Sequence, residues 1–329
     1  MTFASKMIPW LLNLPGRLHQ RTVGWIACRA GARYGELGRR LRWPLDRWAP
    51  CHRRELHLWR AGALGDVLMC TPCLRLLKQV NPDCHLTFYT KYPSLVSGLP
   101  FIDSVKTMEE VPSSAIQLKY EWSIPPSRFL AQIMGDEIGV DVAEIRPSCV
   151  RNPALYAGVL EKFQQLPKPW IVLARRAGPW TPNKQWPLEY WEELIERLLS
   201  WSTVIEIGTE IDSQDHKYET SRYWDLREKL SLDELVATIS AADLLVGPIS
   251  GPVHIAAAFS IPSVVIYGGY ERPCSTEYEG NINCYTPLSC SPCWLRTPCP
   301  FDRLCLRKIQ PITVEKSLKS LWQQASDKK

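Results

Sequence analysis

Glu55-Leu56-His57-Leu58-Trp59-Arg60-Ala61-Gly62-Ala63-Leu64-Gly65-Asp66-Val67 changes character twice within thirteen residues. Leu56, Leu58 and Trp59 mark a short apolar strand, 61–65 is a turn of small residues, and 67–80 carries the apolar spacing of an amphipathic helix. Strand, turn, helix is the repeating unit of a parallel α/β sheet.

Outward from this stretch the unit recurs. Strands are expected at 85–89 and 102–105. The signal weakens over 111–151, where Pro125, Pro126 and Pro147 interrupt it with Pro153 close behind, and a helix over 128–139 is the one element expected there. The join Leu166-Pro167-Lys168-Pro169 precedes a strong strand over 170–174 and opens a second series: helix 190–200, strand 203–207, helix 232–241, strand 244–246, helix 253–259 and strand 263–267. The expected fold class is therefore α/β, with two Rossmann-like domains, 55–166 and 167–329, behind a basic N-terminal extension, 1–54. Two such domains facing across a cleft make the GT-B architecture, in which ligands lie at the carboxyl ends of the strands.

A chain of 329 residues with 45% hydrophobic content is long enough for two cores of ordinary size. Its formal charge of +5 is modest, and its aromatic residues do not alternate with basic ones along one stretch, which argues against a nucleic-acid partner. No apolar run approaches the roughly 20 residues of a membrane span; the first candidate, 8–14, is broken by Pro9 and Asn13 and followed by Arg17. A cytoplasmic location is expected. The first 50 or so residues set Arg17, Arg21, Arg29 and Arg33 among Trp10, Leu14, Trp25 and Ile26, a pattern that suits peripheral contact with the inner membrane face or packing on the protein's own surface.

Three places carry residues with chemistry. Gly62 and Gly65 flank a tight turn, and Asp66 at the helix start is either a cap or a general base at the mouth of the cleft. In Val246-Gly247-Pro248-Ile249-Ser250-Gly251-Pro252-Val253-His254, a strand end meets a helix start, where backbone N–H groups and the helix dipole attract phosphate. Ser250 can add a hydroxyl there, and His254, one turn in, either donates to phosphate or satisfies a neighbouring group. In Thr181-Pro182-Asn183-Lys184-Gln185-Trp186-Pro187, Lys184 can neutralise a diphosphate or stand solvated at the surface. Nothing resembles a Walker loop, so kinase or ATPase chemistry has no support.

These motifs, together with Thr71-Pro72 after the first and Ala256-Ala257-Ala258 after the second, stand in the order and spacing of glycosyltransferase family nine, the ADP-heptose:lipopolysaccharide heptosyltransferases, which the chain resembles over about 55–314. The resemblance implies an inverting GT-B enzyme that needs no metal for catalysis. It implies an acceptor domain in front, a nucleotide-sugar donor domain behind, Asp66 as base, and Lys184, Ser250, Gly251 and His254 as donor-binding residues. ADP-heptose is the favoured donor and a glycan or glycolipid the acceptor. The chain departs from the family at Ile249, where an acidic residue is usual, which motivates a second reading: a non-catalytic nucleotide-sugar-binding or assembly protein of the same fold.

Cys290, Cys293, Cys299 and Cys305 crowd into one Pro-containing stretch. Four thiolates at such spacing suit a structural zinc or iron site; the alternative is a loop of reduced or disulfide-paired cysteines.

Overall fold

The computed structural model describes residues 50–210 and 218–327. The basic extension lies outside the described residues up to 49, so neither reading of its arginines and tryptophans is addressed. Among the described residues no helix is long and apolar enough to cross a membrane.

The first sheet contains β1 (Glu55–Arg60), β2 (His85–Thr90), β3 (Ser104–Lys106) and β4 (Ile116–Gln117), all parallel and ordered β3-β2-β1-β4. Helix α1 (Leu64–Val80) follows β1, and α2 (Leu130–Gly135) and α3 (Pro153–Phe163) follow β4. Side chains two apart on a strand share a face, so Leu56, Leu58 and Arg60 all point inward from β1, the last of them a buried cation.

The second sheet contains β5 (Trp170–Ala174), β6 (Thr203–Ile207), β7 (Tyr223–Asp225), β8 (Leu244–Pro248), β9 (Ser263–Ile266) and β10 (Ile282–Cys284), parallel throughout and ordered β10-β9-β8-β5-β6-β7. On one face α4 (Leu188–Leu199), α7 (Leu304–Arg307) and α8 (Pro311–Ser326) cover Ile171, Leu173, Val204, Val246 and Val264. On the other, α5 (Leu232–Ala241) and α6 (Gly251–Ala258) cover Val172, Ile205, Leu245 and Val265. Helices on both faces explain why β5, β6, β8 and β9 are buried at every position. The second of these cores runs on without a break into that of the first sheet.

Strand order reverses twice, between β1 and β4 and between β5 and β8. At each reversal the connections leave to opposite sides, which opens a crevice at the carboxyl ends of the two strands. This is the GT-B arrangement, and both candidate motifs begin at such a reversal.

The structure departs from the sequence reading where prolines cluster. The strand expected at 102–105 is Ser104–Lys106, and the helix expected over 128–139 is confined to Leu130–Gly135. Pro153 starts a helix. It occupies the first turn of α3, where its missing N–H is no loss, and Asn152 caps that turn by accepting from Ala154 N at 3.0 Å and Leu155 N at 3.2 Å. Helix α3 packs on α5, and Phe163 at its end meets Trp170 and Trp224 edge-on at 5.4 and 6.5 Å between ring centroids.

Candidate active site

At the first reversal the chain leaves β1 through Gly62, whose φ of 143° falls where a side chain is disfavoured. Ala63 then precedes α1 and has no side chain with which to cap it. Asp66 supplies the cap from within the helix: its Oδ2 accepts from Ala63 N at 2.9 Å. Its Oδ1 accepts from the Tyr120 hydroxyl at 2.8 Å and from Arg60 Nη2 at 3.0 Å. A carboxylate offers about four acceptor sites, so three bonds leave one open on a side chain that is still 16% exposed. Capping and base chemistry are therefore compatible here.

Arg60 is held through its two terminal nitrogens, while its buried Nε has no hydrogen-bond partner among the described residues. It donates to Leu118 O at 3.0 Å, pairs with Glu121 at 2.8 Å and lies over the Tyr120 ring at 4.6 Å. Burial opposes its charge, but the Asp66 carboxylate and the bond to Glu121 outweigh burial and hold its pKa above the usual guanidinium value. Burial and the adjacent Asp66 charge push the Tyr120 phenol well above its ordinary range, so it remains a hydrogen-bond donor.

At the second reversal β8 approaches β5 so closely that a Cβ on Gly247 would lie 2.9 Å from Ala174 O. Ile249 turns inward and is 2% exposed. Ser250 has extended backbone and precedes α6, yet its hydroxyl donates back to Pro248 O at 3.0 Å instead of capping the helix. The Ser250 hydroxyl is thus not spent on the first turn of α6, where Pro252 has no N–H and Val253 N donates to Ser250 O at 3.0 Å, so the Gly251 N–H is the one left to the α6 start. One turn along, His254 Nδ1 lies 2.7 Å from the Tyr278 hydroxyl. Burial, reinforced by the Lys184 charge and opposed by that of Asp66, pulls the His254 pKa down to about 4, so the ring is neutral at pH 7.

The two reversals meet. A Cβ on Gly65 would lie 2.6 Å from His254 Cδ2, and one on Gly251 would lie 2.0 Å from Leu64 Cδ2. The first turns of α1 and α6 therefore interlock, glycine against side chain in both directions. Gly62, Gly65, Asp66, Ser250, Gly251 and His254 share one locale.

Lys184 ends a short helical turn, Pro182–Lys184, that follows β5. Its ammonium pairs with Glu271 and lies 4.9 Å from the Tyr270 ring centroid. The turn is pinned by Asn183, whose amide donates to Leu295 O at 2.9 Å and Thr297 O at 2.8 Å. Lys184 is thus a paired, mostly buried cation and not a solvated one, and its charge reaches His254.

Arg60, Tyr120, Glu121, Tyr278 and Glu271 escape the sequence reading. Arg60 alone left a trace, as a cation in register with the buried Leu56 and Leu58; the others follow strands in stretches without periodicity.

The expected metal centre at Cys290, Cys293, Cys299 and Cys305 is not formed. Helix α7 carries Cys305 into the core, where a Cβ on Gly269 would lie 3.0 Å from its Sγ, while Cys290 is exposed and Cys293 and Cys299 are half-buried. Among the described residues no three His, Cys, Asp or Glu side chains are placed to hold a metal ion, and the described cysteines are free thiols, so the disulfide alternative is not formed either.

Comparison with known proteins gives one family. The sequence model described as glycosyltransferase family 9 (heptosyltransferase) matches residues 127–303, more than half of the chain; this span contains Lys184, Ser250, Gly251 and His254 but not Asp66. Among solved structures, the ADP-heptose LPS heptosyltransferase II of E. coli is similar with a TM-score of 0.63 at 17% identity, covering 83% of this chain and 99% of that one. A family 9 glycosyl transferase from Veillonella parvula gives 0.64 at 16%, covering 82% and 97%. The dodecameric iron-containing heptosyltransferase TibC of enterotoxigenic E. coli, in complex with ADP-D-beta-D-heptose, gives 0.63 at 20%, covering 83% and 78%. At such identities these likenesses establish the fold. No curated protein matches the chain.

Proposed function

We propose, from the premise that this chain belongs to glycosyltransferase family 9, that it transfers a sugar, heptose in preference, from a nucleotide diphosphate donor to a glycan or glycolipid acceptor with inversion. A glycosyltransferase with a heptosyltransferase-like fold is the plain reading of the family and the architecture. ADP-heptose is the donor proposed first, because TibC was solved with that compound. Lipopolysaccharide or another surface glycan is the acceptor proposed, which goes with a cytoplasmic enzyme touching the inner membrane face.

The observation that supports this most directly is the interlock of α1 with α6, which sets Asp66 beside the helix start bearing Ser250. In the proposed reaction the acceptor O–H passes its proton to Asp66 while its oxygen attacks the anomeric carbon. The bond from that carbon to the diphosphate breaks on the opposite face, which inverts the centre. The departing diphosphate gains negative charge beside Lys184, the Ser250 hydroxyl and the Gly251 N–H at the start of α6. His254, held neutral, has a hydrogen to donate from Nε2 in the tautomer whose Nδ1 accepts from the Tyr278 hydroxyl. These groups supply the electrostatics without a required metal, and the iron of TibC is not carried over, since no three ligating side chains among the described residues are placed to hold a metal ion.

A screen of nucleotide sugars for thermal stabilisation, followed by a product assay, tests the proposal. Asp66→Ala is expected to abolish transfer while donor stabilisation survives; near-normal turnover by that variant removes Asp66 from the role. The buried Ile249, which brings no acidic group to the sugar, favours a second reading as a non-catalytic nucleotide-sugar-binding protein. Binding without turnover for every donor would select it.

A further inference from the structure

Asp66 is gripped unevenly, and the unevenness distinguishes its two oxygens. Oδ1 lies on the inner side and receives two donors, Tyr120 OH and Arg60 Nη2. Oδ2 receives one, the exposed Ala63 N–H. Space beside Oδ2 exists because residue 62 is glycine: a Cβ there would lie 2.6 Å from that oxygen.

From this geometry we infer that Arg60 and Tyr120 are positioning residues that clamp Oδ1 of Asp66, leaving Oδ2, in the gap provided by Gly62, as the atom that accepts the acceptor's proton. The inference rests on Asp66 being the base and goes beyond it by naming the atom and the residues that aim it. Neither Arg60 nor Tyr120 needs to touch a substrate.

The clamp is itself fixed. Glu121 and Leu118 O hold the guanidinium, and the guanidinium stacks on the ring of Tyr120, so each donor to Oδ1 steadies the other. The groups facing Asp66 are few: Arg60 from the end of β1, Tyr120 and Glu121 from beyond β4, the buried Cys70 thiol one turn along α1, and the neutral His254 ring of α6. Arg60 is the one cation bonded directly to the carboxylate among the described residues, and Glu121 offsets its charge. The arrangement fixes direction while leaving a carboxylate whose outer oxygen is still free to act.

The test uses the full chain carrying aspartate labelled with ¹³C at the side-chain carboxyl, with the Asp66 line identified by its disappearance in Asp66→Asn. Tyr120→Phe removes one hydroxyl and little else, and it is expected to move or broaden the Asp66 line at fixed neutral pH while leaving the remaining aspartates in place. With ADP-heptose and a heptose-deficient lipopolysaccharide, the same variant is expected to lose about ten- to a hundredfold in kcat, the worth of one hydrogen bond to a charged group, with donor KM retained. Arg60→Gln should move the line further; because Arg60 is buried, that variant corroborates and Tyr120→Phe decides. An unmoved Asp66 line, or an undiminished kcat, in Tyr120→Phe overturns the clamp. If Asp66→Asn itself turns over normally, the base assignment falls instead, and a line moved by Tyr120→Phe still reports the contact.

Discussion

His254 occupies a position in which adding a proton costs the fold. Its pKa falls from an unfolded value near 6.5 to about 4 because the ring is buried against Tyr278 and Gly65. Between those values the unfolded chain binds the proton and the folded one does not, so stability declines as pH drops from about 6.5 to about 4 and levels off below. The full effect is about 3 kcal/mol. Denaturant titrations across that window should show His254→Gln lacking this share of the slope, and an unchanged slope would mean that the ring is not held neutral. Gly62 makes a second prediction at this scale. In Gly62→Ala the new methyl meets Asp66 Oδ2 in a backbone conformation that already disfavours side chains, so turnover should fall tenfold or more on the order expected for a displaced catalytic group, with donor affinity kept.

Helices α1 and α6 depend on glycine in a way that α3 does not. A methyl on Gly65 would press into the imidazole of His254, a ring with no room to retreat, and overpacking of this sort costs about 1–3 kcal/mol. A methyl on Gly158 of α3 would meet nothing within 4 Å. Gly65→Ala is therefore expected to lower the midpoint of thermal unfolding and Gly158→Ala to raise it, the latter by up to about 1 kcal/mol of helix propensity. The opposite pairing of signs would refute the interlock. Helix α3 also shows how a local signal misleads. Pro153 reads as an interruption until Asn152 is recognised as the cap in front of it, and Asn152→Ala should cost about 1 kcal/mol in the same measurement.

At the scale of the molecule, the two sheets bring their helix starts together where α1 meets α6. A donor bound at 100 times its dissociation constant should stabilise the folded chain by about 2.7 kcal/mol. Thermal shift with ADP-heptose is expected to show this in the wild type and in Asp66→Asn, and to lose most of it in Lys184→Gln; equal shifts in all three would place the diphosphate elsewhere. The motifs around Asp66, Lys184 and Ser250 were legible because each is a strand end, a turn and a helix start, a local grammar that sequence carries openly. The alternation of strands and helices, and with it the two parallel sheets, was determined there too, since period and turn residues act over a few neighbours. What only the tertiary structure decided is which groups meet. Tyr120 reaches, across 54 residues of chain, the Asp66 oxygen that Arg60 also binds, Gly65 opens onto His254, and the four cysteines that looked like ligands form no metal-holding group among the described residues. Such encounters are set by strand order and by the packing of one helix on another, and neither is written in the spacing of residues along the chain.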